Sequence, residues 1–504
     1  MTDYPATPAH APYREATSDF EDLVKTLFEV GAGSADHAAI EQLIEKRGTE
    51  VLRKLLEATL NERASRVKLA EVEGADAIRR THHRSGQRVL ESLFGSVLLW
   101  RDRLGARGAT ALVPADASLN LPLDHFSFGV RARVVSEVVR GSYDAAVAAI
   151  AVTTGADVAK RQAESLVISA AQDFDAFYTA LERAPPDPGL DPGLLVISVD
   201  GKGIVMRPNG LREATRKAAD KSAHKIPGRL SRGEKANRKR MATVAAIYDL
   251  EVQPRSVDDI LGDLRGEVRE RRPRPKRKRI WASVEKSSRE AIADAFDEAC
   301  ARDPLSLRPI VVLVDGAWSQ IRETQTEAKR RGRAVTIVLD IIHVIEYLWT
   351  AAWNVFEEGD PRAKKWVGGH LRTILEGRAG IVAGAMRRCA TNLKLTERKG
   401  IDKAANYILN HKSMMRYDQY LAEGMPIATG VIEGACRHLV KDRMDITGAR
   451  WGLEGAEAVL RLRSLWSSGD LDCYLDFHRQ QEAERNHLSH YANNCFPWVT
   501  QEAA

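Results

Sequence analysis

The chain has 504 residues, 44% of them hydrophobic and 29% charged, with a net charge of +6 and five cysteines. This is ordinary globular composition, long enough for about three domains. It excludes a disulfide framework and a thiolate zinc site, because Cys300, Cys389, Cys436, Cys473 and Cys495 form no CxxC pair. Residues 1–6 are polar, with no apolar signal core, and no stretch reaches about 18 apolar residues, so neither export nor a membrane span is expected.

Residues 18–180 read as helical. Residues 19–28 place apolar side chains at i, i+3, i+4 and i+7, and residues 37–75 continue the pattern with many charges. One interruption falls near 86–125, where residues 88–100 resemble two short strands about a Gly95-Ser96 turn. Residues 127–170 then read as a helical trio. Ser142 caps its second member, Thr153-Thr154-Gly155 makes a turn, and Lys160, Arg161 and Gln162 lead the third. That pattern suits a DNA-reading helix-turn-helix and, equally, any three-helix bundle. Residues 1–185 therefore form a mostly helical N-terminal region, closed by a Pro- and Gly-rich linker at 184–193.

Strands follow. Leu194-Leu195-Val196-Ile197-Ser198-Val199 runs into Asp200-Gly201, with a second strand expected at 203–207 and a third at 241–250. After a helix at 286–301, Ile310-Val311-Val312-Leu313-Val314 runs into Asp315-Gly316. A helix at 320–331 precedes a strand at 334–340 that ends in Asp340. This order predicts a mixed sheet in an α/β domain over 190–345. Residues 346–424 read as a helical insertion. Residues 425–470 return to the core with helices at 429–443, carrying Glu433, and at 455–465. Residues 471–504 read as a tail.

Asp200 and Asp315 lie 115 residues apart, and Glu433 follows 118 further on. Asp-Gly after one strand is a turn signal. After two apolar strands it also places two carboxylates at the strand ends where α/β sheets bind ligands. Hard divalent cations take such oxygens, and small neighbours (Gly430, Gly434, Ala435) let Glu433 approach the sheet. The three could hold a pair of Mg²⁺ ions suited to phosphodiester chemistry. Asp340 competes with Asp315 as the second ligand, and His343 lies one turn further on. As a zinc site that pair lacks further ligands. No GxxxxGK[ST] occurs, so no nucleotide cofactor is expected.

The positive charge is concentrated. Residues 202–240 carry 13 Lys/Arg against 3 Asp/Glu, and residues 265–280 carry 9 against 2, which leaves −11 elsewhere. Phosphate backbones are the matching partner. Candidate DNA contacts are Lys202, Arg207, Arg238, Lys239 and Arg240, then Arg274, Lys276, Arg277, Lys278 and Arg279. Arg437 and Lys441 near Glu433, and Lys160 and Arg161 in the helical trio, complete the set. Aromatic residues gather at Trp318, Tyr347, Trp349, Trp353 and Phe356. Trp349 and Trp353, at i and i+4, read as helix core, with base stacking at a DNA end as the alternative.

Three stretches resemble DDE transposases of bacterial insertion sequences. They are Val196-Ile197-Ser198-Val199-Asp200-Gly201-Lys202-Gly203, Val311-Val312-Leu313-Val314-Asp315-Gly316-Ala317-Trp318 and Leu339-Asp340-Ile341-Ile342-His343-Val344. A fourth runs from Gly430-Val431-Ile432-Glu433-Gly434 through Gly448-Ala449-Arg450-Trp451 to Ala456-Glu457-Ala458-Val459-Leu460-Arg461-Leu462-Arg463. The nearest group is the ISKra type, related to Mutator-like and ISL-type enzymes, and the likeness covers about 190–345 and 425–466. It implies an RNase H-like core in which Asp200, Asp315 and Glu433 bind two Mg²⁺ (Mn²⁺ as substitute). It also implies cleavage at terminal inverted repeats, strand transfer into target DNA, and a homo-oligomer in the cytoplasm at the nucleoid. Asp340 with His343 matches an Asp-x-x-His element of Mutator-like relatives, which ranks Asp315 above it as ligand. Many relatives carry a cysteine pair ahead of the helix-turn-helix, but residues 1–299 here have none. Rival expectations are an RNase H-like nuclease without strand transfer and a non-enzymatic, transposase-derived DNA-binding protein.

Overall fold

The structure, a computed structural model, describes residues 12–31, 33–181, 193–221, 237–264, 266, 273–446 and 448–496. The linker at 184–193 and part of each basic segment (222–236, 265, 267–272) lie largely outside them. The chain divides into two units, residues 1–180 with 470–504, and residues 181–469. No helix among the described residues is long and apolar enough to cross a membrane.

The first unit opens with helices α1 (Arg14–Gly31) and α2 (His37–Arg66). A small hairpin, β1 (Val72–Glu73) with β2 (Arg79–Arg80), leads to a three-stranded antiparallel sheet of β3 (His82–Ser92), β4 (Gly95–Ala106) and β5 (Ala109–Leu112). This is more sheet than the expected interruption. The turn lies at Leu93-Phe94, two residues earlier than Gly95-Ser96, because Ser92 pairs with Gly95 and its hydroxyl donates to the Gly95 carbonyl at 2.7 Å. Helix α2 covers the open edge of β4. Asn61 bonds the Leu98 carbonyl and the Trp100 amide, both at 2.8 Å, and Glu57 accepts from the Leu98 amide at 2.9 Å. Satisfying an edge in this way removes a template for strand addition.

After α3 (Pro114–Ser118), the trio is α4 (Phe128–Arg140), α5 (Tyr143–Thr153) and α6 (Lys160–Ala170), followed by α7 (Phe174–Ala180). Six residues, 154–159, join α5 to α6, longer than the usual turn of a helix-turn-helix. Lys160 pairs with Asp144 at 2.8 Å, and Arg161 is exposed. The segment from 471 onward, expected as a tail, is largely a helix (Leu471–Asn486) packed into this unit. Tyr474 and Phe477 meet Phe177 edge-on, and Glu482 pairs with buried Arg131 at 2.8 Å.

The second unit is built on a five-stranded mixed sheet. Its strands are β6 (Leu194–Val205), β7 (Lys239–Leu250), β8 (Lys276–Ser283), β9 (Ile310–Val314) and β10 (Val335–Leu339), in the order β10-β9-β6-β7-β8. The hairpin pairs β6–β7 and β7–β8 are antiparallel, while β9 and β10 join parallel to β6. Helices α8 (Glu213–Asp220), α9 (Val257–Leu264), α10 (Ser288–Arg302) and α11 (Trp318–Arg330) connect them. Two expectations change here. The strand proposed at 203–207 is the continuation of β6, because β7 offers it a partner from Leu194↔Leu250 through Val205↔Lys239. The third hairpin strand is β8, drawn from the basic run, where only Ile280, Trp281, Ala282 and Ser283 are buried.

Beyond β10 lie α12 (Ile341–Ala352), α13 (Pro361–Leu375), α14 (Ala379–Asn392), α15 (Lys399–His411) and α16 (Tyr417–Ala422), which make up the helical insertion. The chain then returns as α17 (Gly430–Ala435), a π-helical turn (Cys436–Lys441), α18 (Asp442–Met444) and α19 (Leu453–Ser468). Helix α19 seals the outer edge of β8. Ser468 and Ser464 accept from the Ile280 and Ala282 amides at 3.0 and 3.2 Å, and Glu457 accepts from the Val284 amide at 2.9 Å.

Candidate carboxylate site

Register brings three aspartates side by side. Ser198 pairs with Leu313 in the β6–β9 ladder, so Asp200 comes level with Asp315 two residues on. Leu339 pairs with Val314, and the Asp340 amide donates to the Val314 carbonyl at 2.8 Å, which sets Asp340 level with Asp315 from the other side. Asp200 does not end its strand. It sits where pairing to β9 has stopped and pairing to β7 continues. The carboxyl ends of parallel strands are the usual ligand-binding end of such a sheet.

Helix α17 packs against β6 and β7. Cys436 lies one turn past Glu433, and its thiol donates to Asp200 Oδ2 at 3.3 Å. This contact ties the helix face that carries Glu433 to the first aspartate. Glu433 is exposed, yet loss of some solvation, then the charges of Asp340, Glu346 and Asp200, hold its carboxyl above the ordinary range, against the opposing influence of His343. Burial first, and then the Asp200 charge, raises the Cys436 thiol well above its ordinary value, so this cysteine is a neutral donor. The π-helical turn directly after α17 is of a kind that often marks a functional helix.

The two competing aspartates differ in what already occupies them. Asp340 is fully buried. Its carboxylate caps α12 at the Ile342 amide (3.0 Å), accepts from His343 Nδ1 (3.0 Å) and from the Thr429 hydroxyl, and lies 3.4 Å from the Thr429 amide. Asp315 is half-buried, and its carboxylate accepts one bond, from the Ala317 amide at 2.8 Å. Among the described residues, none of Asp200, Asp315 and Glu433 forms an ion pair with Lys or Arg. Asp340 is therefore committed to structure, while Asp315 keeps lone pairs for a ligand. The bond to Asp340 is the largest influence raising the His343 imidazole, to about 9.

The insertion grips the second aspartate's turn, which sequence reasoning missed. Tyr407 on α15 donates its hydroxyl to the Asp315 carbonyl at 2.7 Å, and His411 Nε2 lies 2.9 Å from the Gly316 carbonyl. Gly316 has φ +96°, and a Cβ there would stand 2.9 Å from the Tyr407 oxygen, so only glycine suits this contact. Tyr417 similarly donates to the Leu339 carbonyl at 2.8 Å. No spacing pattern announces such bonds, because they join side chains to backbone 78 to 95 residues away in sequence.

The basic candidates separate in the same manner. Lys202, Arg207, Arg238, Lys239, Arg274, Lys278, Arg437 and Lys441 are exposed. Arg240 is spent on the carbonyls of Val284 (2.7 Å) and Gly210 (3.2 Å). Lys276, Arg277 and Arg279 pair with Glu251, Asp249 and Glu298 respectively, so this part of the run is internally neutralised and is not an open basic loop. Lys202 lies near enough to Cys436 for its charge to act on the thiol.

Hard oxygen donors at one end of a sheet, without a Lys or Arg partner among the described residues, fit a divalent ion, and Asp200, Asp315 and Glu433 are the residues that can hold it. As the side chains stand, no group of three or more His, Cys, Asp or Glu among the described residues is drawn around one point. The chain matches no protein-family model and no curated protein.

Proposed function

We propose that this chain is a DNA transposase whose second unit folds as an RNase H-like catalytic domain. Counted from β6, its strand order is 3-2-1-4-5 with the first three antiparallel, the arrangement this reading requires. The observation that carries the proposal is the level placement of Asp200 and Asp315 on neighbouring strands, with Glu433 brought to the same end by a helix bonded to Asp200 through Cys436. Bound between these carboxylates, Mg²⁺ (or Mn²⁺) would supply an activated water or 3′-hydroxyl and stabilise the leaving oxygen. The chain's own residues do the rest. Asp200 and Asp315 present oxygens from fixed strands, Glu433 approaches from α17, and Asp340 with Thr429 fixes the start of α12. Exposed Lys202, Arg437 and Lys441 lie close in sequence to these carboxylates and suit flanking phosphates. Terminal inverted repeats and target duplex are the DNA partners, a homo-oligomer holds two ends, and the cytoplasmic nucleoid is where it works.

The test is cleavage and strand transfer on 3′-OH-terminated element ends with plasmid and Mg²⁺. The repeats are obtained from the DNA flanking the gene. D200N, D315N and E433Q are each expected to abolish both steps while end binding persists. Retained cleavage in any of them removes that residue from the site, and nicking without joined products turns the reading to a nuclease.

A further inference from the structure

Four rings from three helices form one column beside Asp315. Tyr347 on α12 stacks on Tyr407 of α15 with centroids 3.9 Å apart and planes at 13°. Tyr407 meets His411 at 4.6 Å, and His411 stacks on Trp318 at 4.9 Å and 22°. One end is closed, since Lys403 Nζ lies 5.2 Å over the Tyr347 ring. The other end is Trp318, which is 47% exposed, the first residue of α11 and three residues after Asp315. His411 behind it is 4% exposed and sits between the Gly316 carbonyl (2.9 Å) and the Tyr407 carbonyl (2.8 Å).

Single exposed aromatics are common and need no function. Trp100, Trp353 and Trp466 are comparably exposed. Trp318 differs in two respects. It is mounted on a support that also holds the Asp315–Gly316 turn, and it ends a stack with no further ring or cation against it among the described residues. An aromatic face held from behind meets a planar partner with little further loss of side-chain freedom. A nucleobase is the planar group a DNA-processing site would bring there, and stacking accepts any base.

We propose that Trp318 is a stacking platform for an unpaired nucleobase of DNA, continuing the Tyr347–Tyr407–His411 column next to the scissile position. This rests on the DNA-processing reading above. It adds a positioning contact that holds one nucleotide unstacked from its neighbours, with the phosphate beside it near Asp315.

The test uses the full-length chain and a single-stranded thymidine oligonucleotide with one central 2-aminopurine, in Ca²⁺ without turnover. Binding is expected to quench the probe. W318A and W318L are expected to remove the quench and weaken binding about tenfold. W318F should restore most of both, a pattern that lost bulk alone would not give, and W318L guards against misfolding of the alanine variant. Equal quench and affinity in W318L, or no quench by the unaltered chain, overturns the proposal. The readout is independent of cleavage. If W318L stacks the probe normally while D200N abolishes cleavage, only this inference falls. If cleavage survives D200N while the Trp318 pattern appears as expected, only the transposase reading falls.

Discussion

The two ends of the central sheet treat acidic residues in opposite ways. Where β6 and β9 begin, three acids are matched to arginine. Asp249 is met by Arg277, Arg302 and Arg308, Glu298 by Arg279 and Arg302, and Asp303 by Arg333. Towards the other end, Asp200, Asp315 and Glu433 have no such partners among the described residues, and desolvation first, then the charges of Asp340, Glu346 and Asp200, raises Glu433. The first arrangement settles buried charge. The second leaves carboxylates at one end of the sheet without a cation, a pattern that persists at sites where a ligand supplies the opposite charge.

The largest test of this contrast swaps neutral amides into the unpaired end. D200N, D315N and E433Q should each reduce cleavage by at least about a hundredfold, more than loss of an outer-shell partner usually costs. None should lower the melting temperature, since each removes a carboxylate that has no Lys or Arg partner among the described residues. The same logic reverses at the other end. Arg302→Ala strips a cation from Glu298 and Asp249 and should cost about 3 kcal/mol of stability in urea unfolding. Cleavage at a temperature where the variant is folded should be unchanged, and a catalytic loss there would erase the distinction between the ends.

A smaller effect concerns His343. Its folded value, about 9, lies above the ordinary 6.5. The stability it contributes is thus present below pH 6.5 and lost as pH rises through 9. Unfolding free energy of the wild type should fall more steeply from pH 6.5 to 9 than that of His343→Gln, and parallel profiles would show that the Asp340 bond does not set this group. The smallest change is expected at the rim. K441A should weaken DNA binding uniformly across sequences and reduce the salt slope by about one, whereas Arg279→Ala, already paired with Glu298, should act on stability and leave the slope alone.

Residue pattern made the α/β core legible where burial was two-sided. Leu194 to Val199 (apart from Ser198) and Ile310 to Val314 are apolar runs because both faces of the sheet are covered. The acids after them were equally visible. Strand β8 was hidden because Lys276, Arg277 and Arg279 answer to Glu251, Asp249 and Glu298, partners no local pattern displays. The hairpin at 82–106 was shortened for a related reason. Its outer half is exposed and polar, so alternation is faint there. The return of residues 471–486 to the first unit rests on contacts with Phe177 and Arg131, some 300 residues away in the chain. At the site, Asp315 and Asp340 looked alike as strand-end aspartates. What separates them is burial and the bonds from Thr429 and His343, which only the fold supplies.

Melting temperature against Mg²⁺ concentration at constant ionic strength tests the central claim most directly, because an ion that binds only the folded chain raises it by mass action. The account predicts a saturable rise for the wild type and none for the D200N/D315N/E433Q triple variant. An equal rise in both would contradict it.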